Sequence, residues 1–354
     1  MKLNEQQNAA VKYIAGPCLV LAGAGSGKTR VITNKIAYLI EECEMPARHI
    51  AAVTFTNKAA NEMKERVAHM VGPKARSMWV STFHSACVRI LRNEAKRLNL
   101  KPSFTIYDTQ DSVRMLSLVS KDLGIDPKSY SPKYLLGQIS NLKNELIDYE
   151  DAISKAVTAQ EQTVAQAYGE YQRRLMLASA VDFDDLIGHT VALLQAFPDV
   201  AEHYHRRFRH VLVDEYQDTN HAQYVLIREL VGNGKDGIAP AELCVVGDTD
   251  QSIYAFRGAN IRNIVEFERD YSDAKTVVLE QNYRSTQNIL TSANSVIEKN
   301  SGRPAKRLWT AEGSGEKIVI YTANDEHHEA DFIVTNVADL IDNHGFEYKD
   351  VAVF

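Results

Sequence analysis

The sequence predicts an α/β fold: a parallel sheet covered by helices on both faces, broken by a helical insertion and followed by the start of a second α/β unit. Three features carry that prediction. Short apolar runs alternate with helical patterns as far as residue 85, the pattern turns almost wholly helical from Ser85 to Val200, and strand–helix alternation then resumes.

Leu19-Val20-Leu21 reads as a buried strand, followed by a glycine-rich turn and a helix with Ile32, Ile36, Leu39 and Ile40 on one face. Ile50 to Phe55 is a second strand. Asn57 to Val67 is a second helix with Ala60, Met63 and Val67 inward, and Val80 lies in a third strand. Phe104 to Tyr107 is the strand-like run of the helical stretch. Val211-Leu212-Val213 and Leu243 to Val246 belong to the resumed sheet, buried on both faces. Thr276 to Leu279 and a helix from Ser285 to Lys299 open the second unit. Asp350 to Phe354 reads as a buried strand with nothing after it to pair with, which suggests a truncated chain.

Apolar residues make up 45% of the 354 and charged residues 24%, an ordinary balance for a chain that builds a sizeable core. No apolar run has membrane-spanning length and no signal segment follows Met1, so a soluble cytoplasmic protein without a membrane partner is expected. Cys18, Cys43, Cys87 and Cys244 form no CxxC pair and read as reduced thiols. A net charge of −6 excludes a chain that is basic throughout. It leaves room for a local groove of Lys and Arg, which is all that contact with a nucleic-acid backbone requires.

Ala22-Gly23-Ala24-Gly25-Ser26-Gly27-Lys28-Thr29 follows a strand and opens a helix, the context of a phosphate-binding loop. Small residues let backbone N–H groups wrap phosphates, and the helix N-terminus adds positive potential. Lys28 reaches the β and γ oxygens, and Thr29 ligates Mg²⁺. Ala22 stands where the strict pattern has glycine. Asp214 and Glu215 end the Val211 strand. Asp214 is the second Mg²⁺ ligand and Glu215 the base for an attacking water. Gln251, just past the Leu243 strand, is placed to contact the γ-phosphate or that water. Arg284, within Gln281-Asn282-Tyr283-Arg284-Ser285, either reaches the same phosphate across a domain boundary or stands on the surface. Asp182, Asp184 and Asp185 read as an acidic helix start and His327-His328 as a solvated face, rather than as metal sites.

In order, Leu3 to Gln7, Ala22 to Thr29, Thr54 to Ala60, Ser81 to Ser85, Asp214 to Asn220, Gly247 to Gly258 and Gln281 to Ser285 resemble the motifs of the UvrD-like superfamily 1 DNA helicases. Gly16 to Ile40 and Ala47 to Ala60 are most similar to the Rep branch of that group. The resemblance implies a P-loop NTPase with a RecA-like sheet. The first motor domain would be residues 1–84 and 201–275, the helical insertion 85–200, and the truncated start of a second RecA-like domain 276–354.

It also implies an ATP-dependent helicase that uses ATP and Mg²⁺ and moves 3′ to 5′ on single-stranded DNA. Such an enzyme opens single-/double-strand junctions in replication or repair, alongside proteins of those processes. Gln7 resembles the adenine-reading glutamine and Tyr283 a base-stacking tyrosine; with Ala22 to Thr29, Arg30 and Arg284 they make up the nucleotide site. Phe55, Asn57, His84, Tyr254, Phe256 and Arg257 match the single-strand track, where aromatic faces stack on bases of any sequence. Without the family, Phe55 and Tyr254 also read as core aromatics. Phe256 replaces the usual tryptophan, and Tyr216 the commoner phenylalanine. The later family motifs, including a second arginine finger, are missing, so the expectation is ATP and single-strand binding without duplex unwinding. A non-catalytic DNA-binding fragment and a small-molecule phosphotransferase are the alternatives. DNA-stimulated ATPase activity separates the first of these from the motor.

Overall fold

The computed structural model describes residues 2–252, 262–300 and 306–354. Its strands are β1 (Cys18–Ala22), β2 (Ile50–Thr54), β3 (Trp79–Thr82), β4 (Thr105–Ile106), β5 (Ala180–Val181), β6 (His210–Val213), β7 (Glu242–Gly247) and β8 (Lys275–Leu279). Six of them form one sheet in the order β3-β2-β6-β7-β1-β8, and every pairing is parallel. All six carboxyl ends therefore share one edge of the sheet, where ligands of open α/β sheets bind.

Alternate side chains of each strand enter two different cores. Val20, Ala52, Val80, Leu212 and Val246 face one layer. It is built by α1 (Glu5–Lys12), α2 (Lys28–Glu41) and α3 (Asn57–Val71), whose Val11, Ile32, Ile36, Met63 and Val67 fill it. Leu19, Leu21, Val53, Val211, Val213 and Val245 face the other. There α4 (Phe83–Glu94) contributes Ile90 and Leu91.

The helical stretch divides between two cores. Within it, α5 (Thr109–Asp122), α6 (Pro132–Asn144), α7 (Tyr149–Lys155) and α8 (Ala159–Leu177) enclose a core of their own around Leu116, Leu135, Ile139, Tyr171 and Leu175. α9 (Phe183–Ala196) and α10 (Pro198–Arg207) instead return Leu186, Leu193 and Val200 to the sheet. They are joined there by α11 (His221–Val231) and α12 (Arg262–Asp270). Ala180–Val181 pairs in parallel with Thr105–Ile106. Two apolar residues are too few to show a strand period, and the sequence reading passes over them.

Two expected strands come out differently. Thr276 to Leu279 was expected to open a second unit, but β8 pairs with β1 from Cys18↔Lys275 to Ala22↔Leu279 and forms the edge of the first sheet. Burial decides its place, because Val277 and Leu279 join the same core as Val20 and Ala22. Asp350 to Phe354 was expected to be a buried strand. A 3₁₀ turn at Tyr348–Asp350 precedes an unpaired segment instead, and Val353 and Phe354 are exposed. Apolar character gives a strand only where a neighbour completes its hydrogen bonds, and none among the described residues does so. Between these lie α13 (Gln287–Ile297) and α14 (Glu326–His344), the latter carrying His327 and His328 exposed.

All four cysteines are free, with Cys18, Cys87 and Cys244 in the core. No helix among the described residues is long and apolar enough to cross a membrane.

Candidate active site

The loop after β1 is held open by its glycines. Gly25 and Gly27 have φ of +67° and +90°, a left-handed conformation that favours residues without a Cβ. Gly27 is the N-cap of α2 and provides no capping side chain, so the first-turn N–H groups of that helix are left to other acceptors. Ser26 is buried, and its hydroxyl donates to the Gly23 carbonyl at 2.7 Å. Lys28 and Thr29 are the first two residues of α2, and Arg30 donates from there to the Lys2 carbonyl at 3.3 Å.

Gln7 lies against this loop. Asn4 and Gln7 form a capping box at the start of α1, and the fully buried Gln7 amide donates to the Ser26 carbonyl at 2.8 Å. Asn4 also donates to the Tyr283 hydroxyl at 2.9 Å. The Tyr283 N–H donates to the Gly25 carbonyl at 3.0 Å, and the Asn282 amide to the Ala24 carbonyl at 2.6 Å. The segment after β8 thus docks on the phosphate loop, and Gln7 and Tyr283 meet it from opposite ends of the chain. Arg284 is anchored by its backbone N–H on Asn282 (2.7 Å), and its side chain is exposed.

The acidic pair stands next to Lys28. The Lys28 ammonium lies 3.3 Å from Glu215 Oε2. Asp214 is buried, and burial, reinforced by Glu215, pushes its carboxyl up to about 7 despite the Glu215 N–H and Lys28. Glu215 has φ +51°, strained for a non-glycine residue, and strain of this kind collects at functional sites. Asp218 rises to about 6 through burial and the nearby Glu215.

Gln217 links this pair to the loop after β7, a role the sequence reading did not assign. Its amide donates to Glu215 Oε2 at 2.9 Å, and its carbonyl accepts the Asp248 N–H at 2.9 Å. Gln251 in turn donates to the Asp248 carboxylate. Lys306, also unassigned from sequence, pairs with Asp248 and lies 3.1 Å from Asp250. The position of Gln217 between Glu215 and Asp218 is the signal that could have singled it out.

Glu215 and Gln251 also line a cleft of about 1020 Å³ between the sheet and the helical insertion. Phe55, just past β2, and His84, in the first turn of α4, line it too. Phe55 meets Phe83 edge-on at 5.4 Å, and His84 meets Phe183 at 5.6 Å, so both rings are braced yet border open space. Burial lowers the His84 pKa, favouring the neutral ring. Asn57, the first residue of α3, is exposed and does not line the cleft. The expected track residues Tyr254, Phe256 and Arg257 lie outside the described residues. The acidic run Asp182–Asp185 opens α9, with Asp182 as N-cap and Asp185 completing a capping box.

Residues 3–272 match the family described as UvrD/REP helicase N-terminal domain, and residues 277–354 match the UvrD-like helicase C-terminal domain. The chain is 61% identical over 357 residues to the ATP-dependent DNA helicase UvrD1 of Mycobacterium tuberculosis, covering 99% of this chain and 46% of that protein. It is 59% identical over 360 residues to UvrD1 of Mycobacterium leprae, covering 99% and 46%. To the ATP-dependent DNA helicase PcrA of Staphylococcus aureus it is 50% identical over 351 residues, covering 99% and 47%. The chain spans about half the length of these curated relatives.

Proposed function

The chain belongs to the UvrD/REP helicase family, and from that membership and the geometry of the site we propose that it forms the ATP-hydrolysing, strand-gripping part of a DNA helicase. The cleft carries this reading: Glu215 and Gln251 line it beside the phosphate loop, and Phe55 and His84 line it beside them. Hydrolysis at one wall can then alter the grip on a strand at the other.

Lys28 sets a cation against the terminal phosphates of ATP. Asp214 and Thr29 are oxygen donors suited to Mg²⁺, and the ionised form of a carboxyl raised to about 7 gains most from a cation. When bound, the ion offsets charge on the phosphate oxygens. Glu215 takes a proton from water as the water oxygen bonds to the γ-phosphorus and the bond to the β–γ bridging oxygen breaks. Gln251 orients that water or the γ-phosphate, Gln7 and Tyr283 hold the adenine, and Arg284 meets the developing charge. Movement 3′ to 5′, action at single-/double-strand junctions, and a place among replication or repair proteins rest on the family resemblance alone.

Lys28→Ala should weaken Mg·ATP binding at least about tenfold, since a charge-assisted hydrogen bond is worth roughly 1.5–3 kcal/mol. Equal affinities in calorimetry would overturn the nucleotide assignment. On the other wall, Phe55→Ala should cost about 1–3 kcal/mol of single-stranded DNA affinity at every base sequence, because stacking is indifferent to base identity. Unaltered affinity in fluorescence anisotropy would return Phe55 to the core.

A further inference from the structure

A second depression is lined by residues next in sequence to the cleft's, and neither the nucleotide site nor the aromatic track uses it. It is a groove of about 690 Å³ beside β3, the edge strand of the sheet. Lys64 from α3, Arg76 from the turn after α3, and Arg89 from α4 line it. All three are exposed, and among the described residues none has an ion-pair partner and no carboxylate lines the groove. Groove and cleft both reach the start of α4, where His84 lines the cleft and its neighbour Ser85 lines the groove with Ser81.

We propose that this groove holds the phosphate backbone of the single strand where it runs on past the aromatic track. The inference rests on the reading that the cleft takes single-stranded DNA. Charge favours a polyanion: three cations without an ion-pair partner among the described residues line the groove and set up a local positive field on a chain whose net charge is −6. The aromatic geometry says which part of the strand lies there. Trp79 is buried, with the Arg89 guanidinium 4.0 Å and the Arg207 guanidinium 5.0 Å from its ring. Its ring is engaged by those cations, so among the described residues the groove offers a base no free aromatic face, while Lys64, Arg76, Arg89, Ser81 and Ser85 offer donors to phosphates. An acidic peptide extending the sheet at β3 is the competing occupant. It would find a strand of only four residues, whose Trp79 and Val80 side chains are buried.

The test is anisotropy titration of the 354-residue chain with labelled oligothymidylates, one of about 8 nucleotides and one about twice as long, across a salt series. The parent should bind the longer strand more tightly and with a steeper salt dependence. Lys64→Glu combined with Arg76→Glu changes two exposed side chains. It should weaken the longer strand about tenfold and flatten its log–log salt slope by about 1.4, or 0.7 per lost contact, while sparing the shorter strand. Lys64→Arg with Arg76→Lys should keep parental binding. An unchanged slope and affinity for the longer strand in the charge-reversed variant would overturn the groove's role, and a continued loss in Phe55→Ala would leave the track reading standing. Failure of the parent to bind either strand would bring down both. If polyglutamate binds the parent and is lost on charge reversal while both oligonucleotides bind as before, the groove is a peptide site and the proposal is wrong.

Discussion

Glu215→Gln should leave ATP bound and slow its hydrolysis by about 10² or more, the usual worth of a positioned general base. The substitution is nearly isosteric, so Gln217 can still donate to the oxygen it now meets at 2.9 Å. What disappears is the proton acceptor and one negative charge. Losing that charge has a second effect on the same site. Glu215 helps to hold the Asp214 carboxyl up at about 7, so the variant should ionise Asp214 at lower pH and bind Mg²⁺ at least as well as the parent. Lys28, 3.3 Å from Glu215 Oε2 in the parent, also loses an anionic neighbour and should meet phosphates without competition. The prediction is therefore a split: nucleotide affinity equal or higher, chemistry lower. Single-turnover hydrolysis and calorimetry on the protein expressed from the full reading frame containing these residues would measure both. Unchanged turnover would remove Glu215 as the base. A parallel fall in affinity would mean that it acts in binding.

The parts of the site that could be read from sequence are those encoded locally. A buried strand, a run of small residues and Lys-Thr at a helix start fix the phosphate loop within one short segment, and an apolar strand ending in Asp214-Glu215 does the same for the acidic pair. Positions set by partners far along the chain were not legible. Gln217 matters because of Asp248, 31 residues away, and Lys306 because of the same residue, 58 away. No periodicity announces a side-chain hydrogen bond. The strand Lys275–Leu279 was legible as a strand, but not as the neighbour of β1, because period and burial specify an element and leave its sheet partner open. Asp350 to Phe354 erred the other way, with strand composition and no neighbour among the described residues to pair with.

Lys143 is the plainest case of such hidden pairing, and its replacement should be the most damaging change to stability. Its ammonium lies 2.7 Å from Asp182 Oδ2 and 2.7 Å from Asp185 Oδ1, carboxylates 39 and 42 residues later. All three side chains are almost fully buried. The Tyr171 hydroxyl donates to the same Asp182 oxygen at 3.0 Å and the Gln172 amide to the same Asp185 oxygen at 3.2 Å. The other two oxygens accept backbone N–H groups, Asp182 Oδ1 from Asp185 at 2.8 Å and Asp185 Oδ2 from Asp182 at 3.1 Å. Burial alone would push Lys143 down, but Asp185 and Asp182 outweigh it and hold the ammonium above its ordinary value. Removing the lysine leaves two carboxylates facing each other out of water, and Lys143→Ala should cost about 3–5 kcal/mol. Both carboxyls would then have raised folded-state pKa values. The stability they allow is therefore present at low pH and lost as pH rises through those values, so the deficit should be smaller at acid pH than at neutral pH. Lys143→Met with Asp182→Asn and Asp185→Asn should recover much of the loss, since it removes the charges while keeping the bulk. Urea unfolding of the three proteins at two pH values tests this. The network joins α6, α8 and α9, and Asp184, between its two aspartates, lines the cleft with Phe55 and Glu215. Its loss should therefore weaken single-strand binding as well as stability. A Lys143→Ala protein that unfolds at the parental urea midpoint would show that the buried ion pairs contribute nothing to stability.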